Sequence, residues 1–156
     1  MSAGRIFYAP IEAVSVSAAQ DLWEILAAST AAIRLRGVYI AQSSDTDSEQ
    51  LRVTISRTTG APTSGSGGGT ITPTPVRPGD TAFGGTVERN NTTQISGGTS
   101  VKLVDDAFNV LSGYTFAPPE PEMPVAAPST RFVIAVTAPA DAVSLSGYAV
   151  IEEIGG

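Results

Sequence analysis

From residue 50 the chain reads QLRVTISR, with Leu51, Val53 and Ile55 alternating against Arg52, Thr54 and Ser56. A period of two lays an apolar face and a polar face on opposite sides of a β-strand. Upstream, AIRLRGVYIAQSS alternates through Ile33 and Leu35, then resumes in the opposite phase at Val38 and Ile40. A one-residue change of phase at Gly37 predicts a β-bulge or a sharp strand bend. With DTDSE as the turn between them, these two strands are expected to form a hairpin. RFVIAV, residues 131–136, is apolar on both faces, the pattern of a central strand covered on two sides. Shorter strands are expected at 5–8, closed by Pro10, and at 80–88, 92–95, 100–103, 108–111, 114–117 and 148–151.

One stretch has a different period. In SAAQDLWEILAAS the apolar residues Ala19, Leu22, Trp23 and Leu26 fall at i, i+3, i+4 and i+7, which predicts an α-helix over residues 18–29. Ser17 followed by Gln20 has the spacing of a capping box at its start, and Gln20, Asp21 and Glu24 would form the polar face. Trp23 then reads as a core anchor packing the helix on a sheet; an exposed subunit contact is the competing reading.

Between the alternating segments lies RTTGAPTSGSGGGTITPTPVRPGD. A phosphate-cradling loop needs glycines that open a helix and a lysine that reaches the phosphates. Here prolines follow the glycines and no lysine is near. A linker would need a core on each side, and the N-terminal piece is thin for an independent domain. The economical reading is one domain, 1–156, carrying a long loop over 58–79 whose Gly/Ser part is flexible and whose PTPVRP part is extended. A loop of this length is expected to contact a partner, through Thr63, Ser64, Ser66, Thr70, Thr72, Thr74 and Arg77. A second connection, APPEPEMPVAAPST at 117–130, carries five prolines and is expected to be extended, with no element in it.

Composition narrows the chemistry. Glycine and proline together favour turns and short strands. With no histidine, the usual general base and imidazole metal ligand are missing; with no cysteine, so are disulfides, thiolate metal sites and thiol catalysis. No catalytic residue, cofactor or metal is expected. The net charge of −6, with Lys102 the only lysine, disfavours nucleic acid, and no apolar run is long enough to span a membrane as a helix. The first residues lack the uniform apolar core of a secretory signal, so synthesis in the cytoplasm is expected.

The remaining acidic groupings are weak. Asp45, Asp47 and Glu49 alternate in SSDTDSEQ, yet the glycine and closing glutamate of a calcium loop are not in place, and a solvated turn is favoured. Asp105 and Asp106 read as the start of a turn, with no partner named for a paired-carboxylate hydrolase. Glu152 and Glu153 read as polar residues at a strand end, Lys102 as an exposed strand residue, and the sequons at Asn90-Asn91-Thr92-Thr93 matter only on secretion. DAFNVLSGY, ending at Tyr114, is echoed by DAVSLSGY, ending at Tyr148; two copies read as one local turn solution used twice.

Short strands, an early helix, a Gly/Ser/Thr-rich loop, no His or Cys and the closing SGYAVIEEIGG resemble the small jelly-roll proteins of tailed-phage virions that decorate capsids. IRLRGVYIAQSSDTDSEQLRVTISRTTG and APADAVSLSGYAVIEEIGG carry the resemblance. It implies an all-β, jelly-roll-like antiparallel sandwich with one short N-terminal helix. It also implies a non-enzymatic cement protein of the virion, binding the major capsid protein or another virion protein as a homo-oligomer, a trimer being favoured. Phe83, Tyr114, Phe116 and Tyr148 are the candidate subunit contacts, although burial within one subunit is the commoner fate of such residues. The alternative is a receptor- or carbohydrate-binding β module of a tail or fibre. That module would expose aromatic platforms, and nearly all aromatics here lie in or beside apolar runs.

Overall fold

The segments of period two become strands, and their apolar faces decide how the strands are layered. The computed structural model describes residues 4–45 and 48–155. In chain order the strands are β1 (Arg5–Val16), β2 (Gln20–Leu26), β3 (Ala32–Gln42), β4 (Gln50–Thr59), β5 (Gly69–Ile71), β6 (Thr74–Pro75), β7 (Thr86–Asn91), β8 (Thr99–Asn109), β9 (Tyr114–Phe116), β10 (Val125–Ala126), β11 (Arg131–Val136) and β12 (Val143–Ile154). One sheet has β12 between β1 and β3, with β6 beyond β1, and with β9 and β10 on different lengths of the far side of β3. The other runs β5-β7-β2-β11-β4-β8. All strand pairings among the described residues are antiparallel, and the chain is an all-β sandwich.

Strands β1, β3, β9 and β12 share one sheet and β2, β4, β8 and β11 the other, so the chain crosses between sheets at β1–β2, β2–β3 and β3–β4. With β1-β12-β3-β9 facing β2-β11-β4-β8, this is jelly-roll connectivity. The core between the sheets includes Phe7, Trp23, Ile55, Phe132, Ile134 and Leu145, each fully buried. Trp23 Nε1 donates to the carbonyl of Ala9 at 3.0 Å, a hydrogen bond from one sheet to the other.

Several expectations hold. RFVIAV is β11, central between β2 and β4, and Leu51, Val53 and Ile55 of β4 face the core. The change of phase near Gly37 is a bulge: Val150 pairs with Gly37 and Ile151 with Leu35, leaving Arg36 as the extra residue.

Other expectations are corrected. Residues 18–29 are not a helix; Gln20–Leu26 is strand β2. A register irregularity opposite Ile134 and Ala135 turns Leu22 and Trp23 both into the core, which mimics helical spacing. The Ser17–Gln20 contact does form, Ser17 N–H donating to Gln20 Oε1 at 3.1 Å, but in the connection between two strands. β1 does not stop at Pro10; it runs to Val16, with β6 covering only Phe7 and Tyr8 on that side. β3 and β4 form no hairpin, because they lie in different sheets. Residues 92–95 are outside the named strands, and β8 joins the segment expected at 100–103 to the first half of the one expected at 108–111, with Val110 and Leu111 in the turn that follows. The proline-rich connection holds a 3₁₀ turn, Glu120–Glu122, and β10, which pairs with β3. The loop 58–79 contains β5 and β6, one added to each sheet.

Candidate functional site

The outward side of β2 carries carboxylates, and the Gly/Ser segment lies over them. Asp21 and Glu24 are 1% and 2% exposed. Glu24 Oε1 accepts the backbone N–H of Gly65 at 2.7 Å and the Asn91 amide at 2.8 Å; Glu24 Oε2 accepts the Ser64 hydroxyl at 2.8 Å and faces Arg131 Nη1 at 3.1 Å. Asp21 accepts the backbone N–H of Ile95 at 2.7 Å and the Gln94 amide at 3.0 Å. Residues 63–66 and 93–96 are themselves tied by bridges from Thr63 to Ser96 and from Ser66 to Thr93. Two strips of polar chain are thus pinned on the outside of the sheet by buried acids. Burial raises the Asp21 pKa; the Ile95 and Gln94 hydrogen bonds oppose that, and Glu24 reinforces it.

Glycine is required where the strips come closest. A Cβ at Gly65 would lie 2.5 Å from the Thr93 carbonyl oxygen, and one at Gly68 would meet the backbone of Arg89. The run GSGGG is therefore a close-packing device along β7.

Thr63, Ser64, Ser66, Thr70, Thr72, Thr74 and Arg77 are all exposed. The structure separates them: Thr63, Ser64 and Ser66 lie over β2, Thr70 is in β5 of the same sheet, and Thr74 pairs with Tyr8 at the edge of the other. Tyr114 belongs to the core, its ring 5.6 Å from Phe108; Phe83 packs on Phe7 at 5.4 Å, and Phe116 is half-buried against the core. Tyr148 alone of those four is exposed.

The acidic groups fall into structural pairings. Asp105 sits within β8, where Arg52 and Lys102 hold its carboxyl well below the usual range. Glu49 accepts the backbone N–H groups of Ala140 and Asp141 at 3.0 and 3.2 Å. Asp47 lies outside the described residues, and no group of three or more acidic side chains suited to a metal occurs among those described. Glu152 and Glu153 are buried, correcting their reading as solvated strand-end residues. Glu152 faces Arg36 at 2.8 Å and Arg34 at 3.1 Å, while Glu153 pairs with Arg5 and accepts the Gly84 N–H at 2.8 Å.

Sequence reasoning missed a tyrosine cluster on the outer face of the other sheet. Tyr39 and Tyr148 stack with centroids 4.6 Å apart, and Tyr8 meets Tyr148 edge-on at 5.6 Å. Tyr8 is 44% and Tyr148 38% exposed. The signal was present in the alternation, since Tyr8 sits between inward Phe7 and Ala9, and Tyr39 between inward Val38 and Ile40. Beside the stack is a trough of about 260 Å³ lined by Tyr39–Ala41, Ser112–Thr115 and Ser146–Tyr148.

The two SGY echoes meet there. Ile40 pairs with Gly147 on one side and Tyr114 on the other, so both copies flank the same stretch of β3. They are not one turn used twice: Gly113 adopts a left-handed turn conformation at φ +73°, whereas Gly147 lies inside β12.

These features define an antiparallel β-sandwich with an ordered polar insertion and an exposed aromatic face. Compared with known proteins, the chain matches no family model, and no curated protein or solved structure matches it either.

Proposed function

We propose that this chain is a non-enzymatic structural protein of a tailed-phage virion, binding the outside of the capsid lattice and reinforcing it, most effectively as a trimer. It would be made in the host cytoplasm and reside in the virion, with the major capsid protein as its partner. The observation that carries this reading is the insertion between β4 and β8. Its hydroxyl-rich side is exposed, while Glu24 and Asp21 hold it from beneath. A surface already fixed in shape loses little conformational freedom on docking, which is what a cement contact repeated over a lattice requires. The jelly-roll connectivity agrees with the proteins the sequence resembles.

The test is co-sedimentation of the purified chain with assembled shells of the capsid protein encoded in the same genome, alongside its native mass by light scattering. Saturable binding by a trimer is expected. A chain that stays in the supernatant at every concentration overturns the reading.

One observation favours the second reading, a receptor- or carbohydrate-binding module of a tail or fibre. Its sequence objection was the absence of exposed aromatics, and Tyr8 and Tyr148 are exposed on one sheet face.

A further inference from the structure

We infer that the trough between the two SGY segments is a binding subsite for one neutral pyranose ring. The inference deepens the second reading above and rests on its ligand class; it does not depend on capsid binding.

The first support is the lining. Tyr39, Ile40, Ala41 and Tyr148 stand with Ser112, Gly113, Tyr114, Thr115, Ser146 and Gly147, and none of these side chains carries a charge at neutral pH. An ionic ligand would enter without a counter-charge, and phosphate without a cation, so a neutral occupant is selected. A sugar ring has an apolar C–H face and a rim of hydroxyls. Its C–H groups suit an aromatic surface, and Tyr39 and Tyr148, stacked on each other at 4.6 Å, both line the trough.

The second support is the directionality of the hydroxyls. Ser146 Oγ accepts the Ala13 N–H at 2.8 Å, which leaves its own hydrogen to donate. Ser112 Oγ donates to the Asn109 carbonyl at 3.0 Å, which leaves its lone pairs to accept. The exposed Thr115 hydroxyl belongs to the same lining. Sugar hydroxyls both donate and accept, so this set fits their rim.

The third support is the floor. At Gly147 a Cβ would collide with the Tyr39 carbonyl, and at Gly113 it would come 2.9 Å from the Ile40 carbonyl oxygen. The trough is therefore built on backbone approaches that leave no room for a side chain. Its volume of about 260 Å³ suits a single ring, not an extended chain held along its length.

The test is amide-resolved NMR titration of the intact chain with D-glucose, D-galactose, D-mannose and N-acetyl-D-glucosamine, with N-acetylneuraminic acid as the charged probe. At least one neutral sugar is expected to give saturable shifts at Gly113, Thr115 and Gly147 in the millimolar range typical of single-ring binding. Tyr148→Ala should weaken that binding about tenfold or more, equivalent to about 1.4 kcal/mol. Thr115→Val should weaken it about threefold, and Tyr148→Phe, which keeps the ring, by less than about twofold. Distant amides report whether each variant is folded. No saturable shift at the trough with any neutral sugar overturns the inference, as do shifts unaffected by Tyr148→Ala and Thr115→Val, or equal binding of the acidic sugar. Sugar binding elsewhere on the molecule would sink the subsite and spare the carbohydrate reading.

Discussion

Gly65 donates its backbone N–H to Glu24 Oε1 at 2.7 Å, joining the glycine-rich segment to the outside of β2 across 41 residues of chain. The same carboxylate faces Arg131 at 3.1 Å and is 2% exposed. Glu24→Ala removes the Gly65 and Ser64 contacts and leaves Arg131, with only 12% of its side chain exposed, beside a void. Breaking a buried pair from one side costs about 3–5 kcal/mol. Hydrogen exchange at Gly65 and Ser66 should accelerate beyond what the global loss of stability explains, because their local anchor is gone. Unchanged relative protection there would mean that the bridges to Thr93 and Ser96 hold the strip alone.

Asp21 predicts a pH effect opposite to the usual carboxylate case. Burial raises its folded pKa above the unfolded value, so between the two the folded chain holds the proton more firmly than the unfolded chain does. Its contribution to stability is fully present below the unfolded pKa of about 3.9 and is lost as pH rises through the folded value. Asp21→Asn cannot ionise. The stability of the variant relative to the natural chain should therefore increase from about pH 4 upward and then level off, as read from urea midpoints at a series of pH values. A flat difference over that range would count against burial as the ruling cause.

Asp105 runs the other way, chiefly through its hydrogen bond with Arg52 and then that with Lys102, which lower its pKa. The contribution is present above the unfolded pKa and is lost as pH falls through the folded one. Because this group is solvent-facing, Asp105→Asn should have a small effect at neutral pH that shrinks further in about 1 M salt, where screening acts over about 3 Å. A loss as large in high salt as in low would identify packing instead of charge as its role.

Trp23 ties the two sheets through Ala9. Trp23→Phe removes the indole donor from a buried carbonyl and leaves part of a fully buried site unfilled. The two effects together are expected to lower stability by about 2–4 kcal/mol in urea unfolding. A loss below about 1 kcal/mol would show that neighbouring core residues close the gap.

The strands β4 and β11 were legible because one buried face prints as alternation, as in Leu51-Val53-Ile55, and two buried faces print as an unbroken apolar run, as in Phe132–Val136. The bulge at Arg36 was legible too, because it inverts the phase of the apolar residues. β2 was not, since its irregularity sets Leu22 and Trp23 side by side in the core, the adjacent pair of a helical stripe, while exposed Ala19 and half-buried Leu26 completed the spacing without sharing that face. Its polar residues misled in the same way: Asp21 and Glu24 look like a solvated face until the insertion covering them is known. Glu153 was misread for a related reason, its partner Arg5 lying 148 residues away. Of the trough, the echoed SGY segments were visible in the sequence, but not that β3 brings them to the same residue.

Gly147 separates close approach from backbone strain. A Cβ at Gly147 would strike the Tyr39 carbonyl inside the β3–β12 ladder, where no rotamer relieves the contact and the strands themselves must part. Gly97 is the complementary case: its φ of +72° is left-handed, yet nothing lies within 4 Å of the position a Cβ would take. Gly97→Ala should therefore cost only conformational strain, about 1–2 kcal/mol. Gly147→Ala has no left-handed φ to strain but displaces packed main chain and is expected to cost about 2–4 kcal/mol, together with the Tyr39–Tyr148 stacking. Thermal unfolding should place Gly147→Ala below Gly97→Ala, and the near-ultraviolet tyrosine circular dichroism should change only in the former. The reverse order would mean that β12 can shift away from β3 at little cost, and that the floor of the trough is softer than its geometry implies.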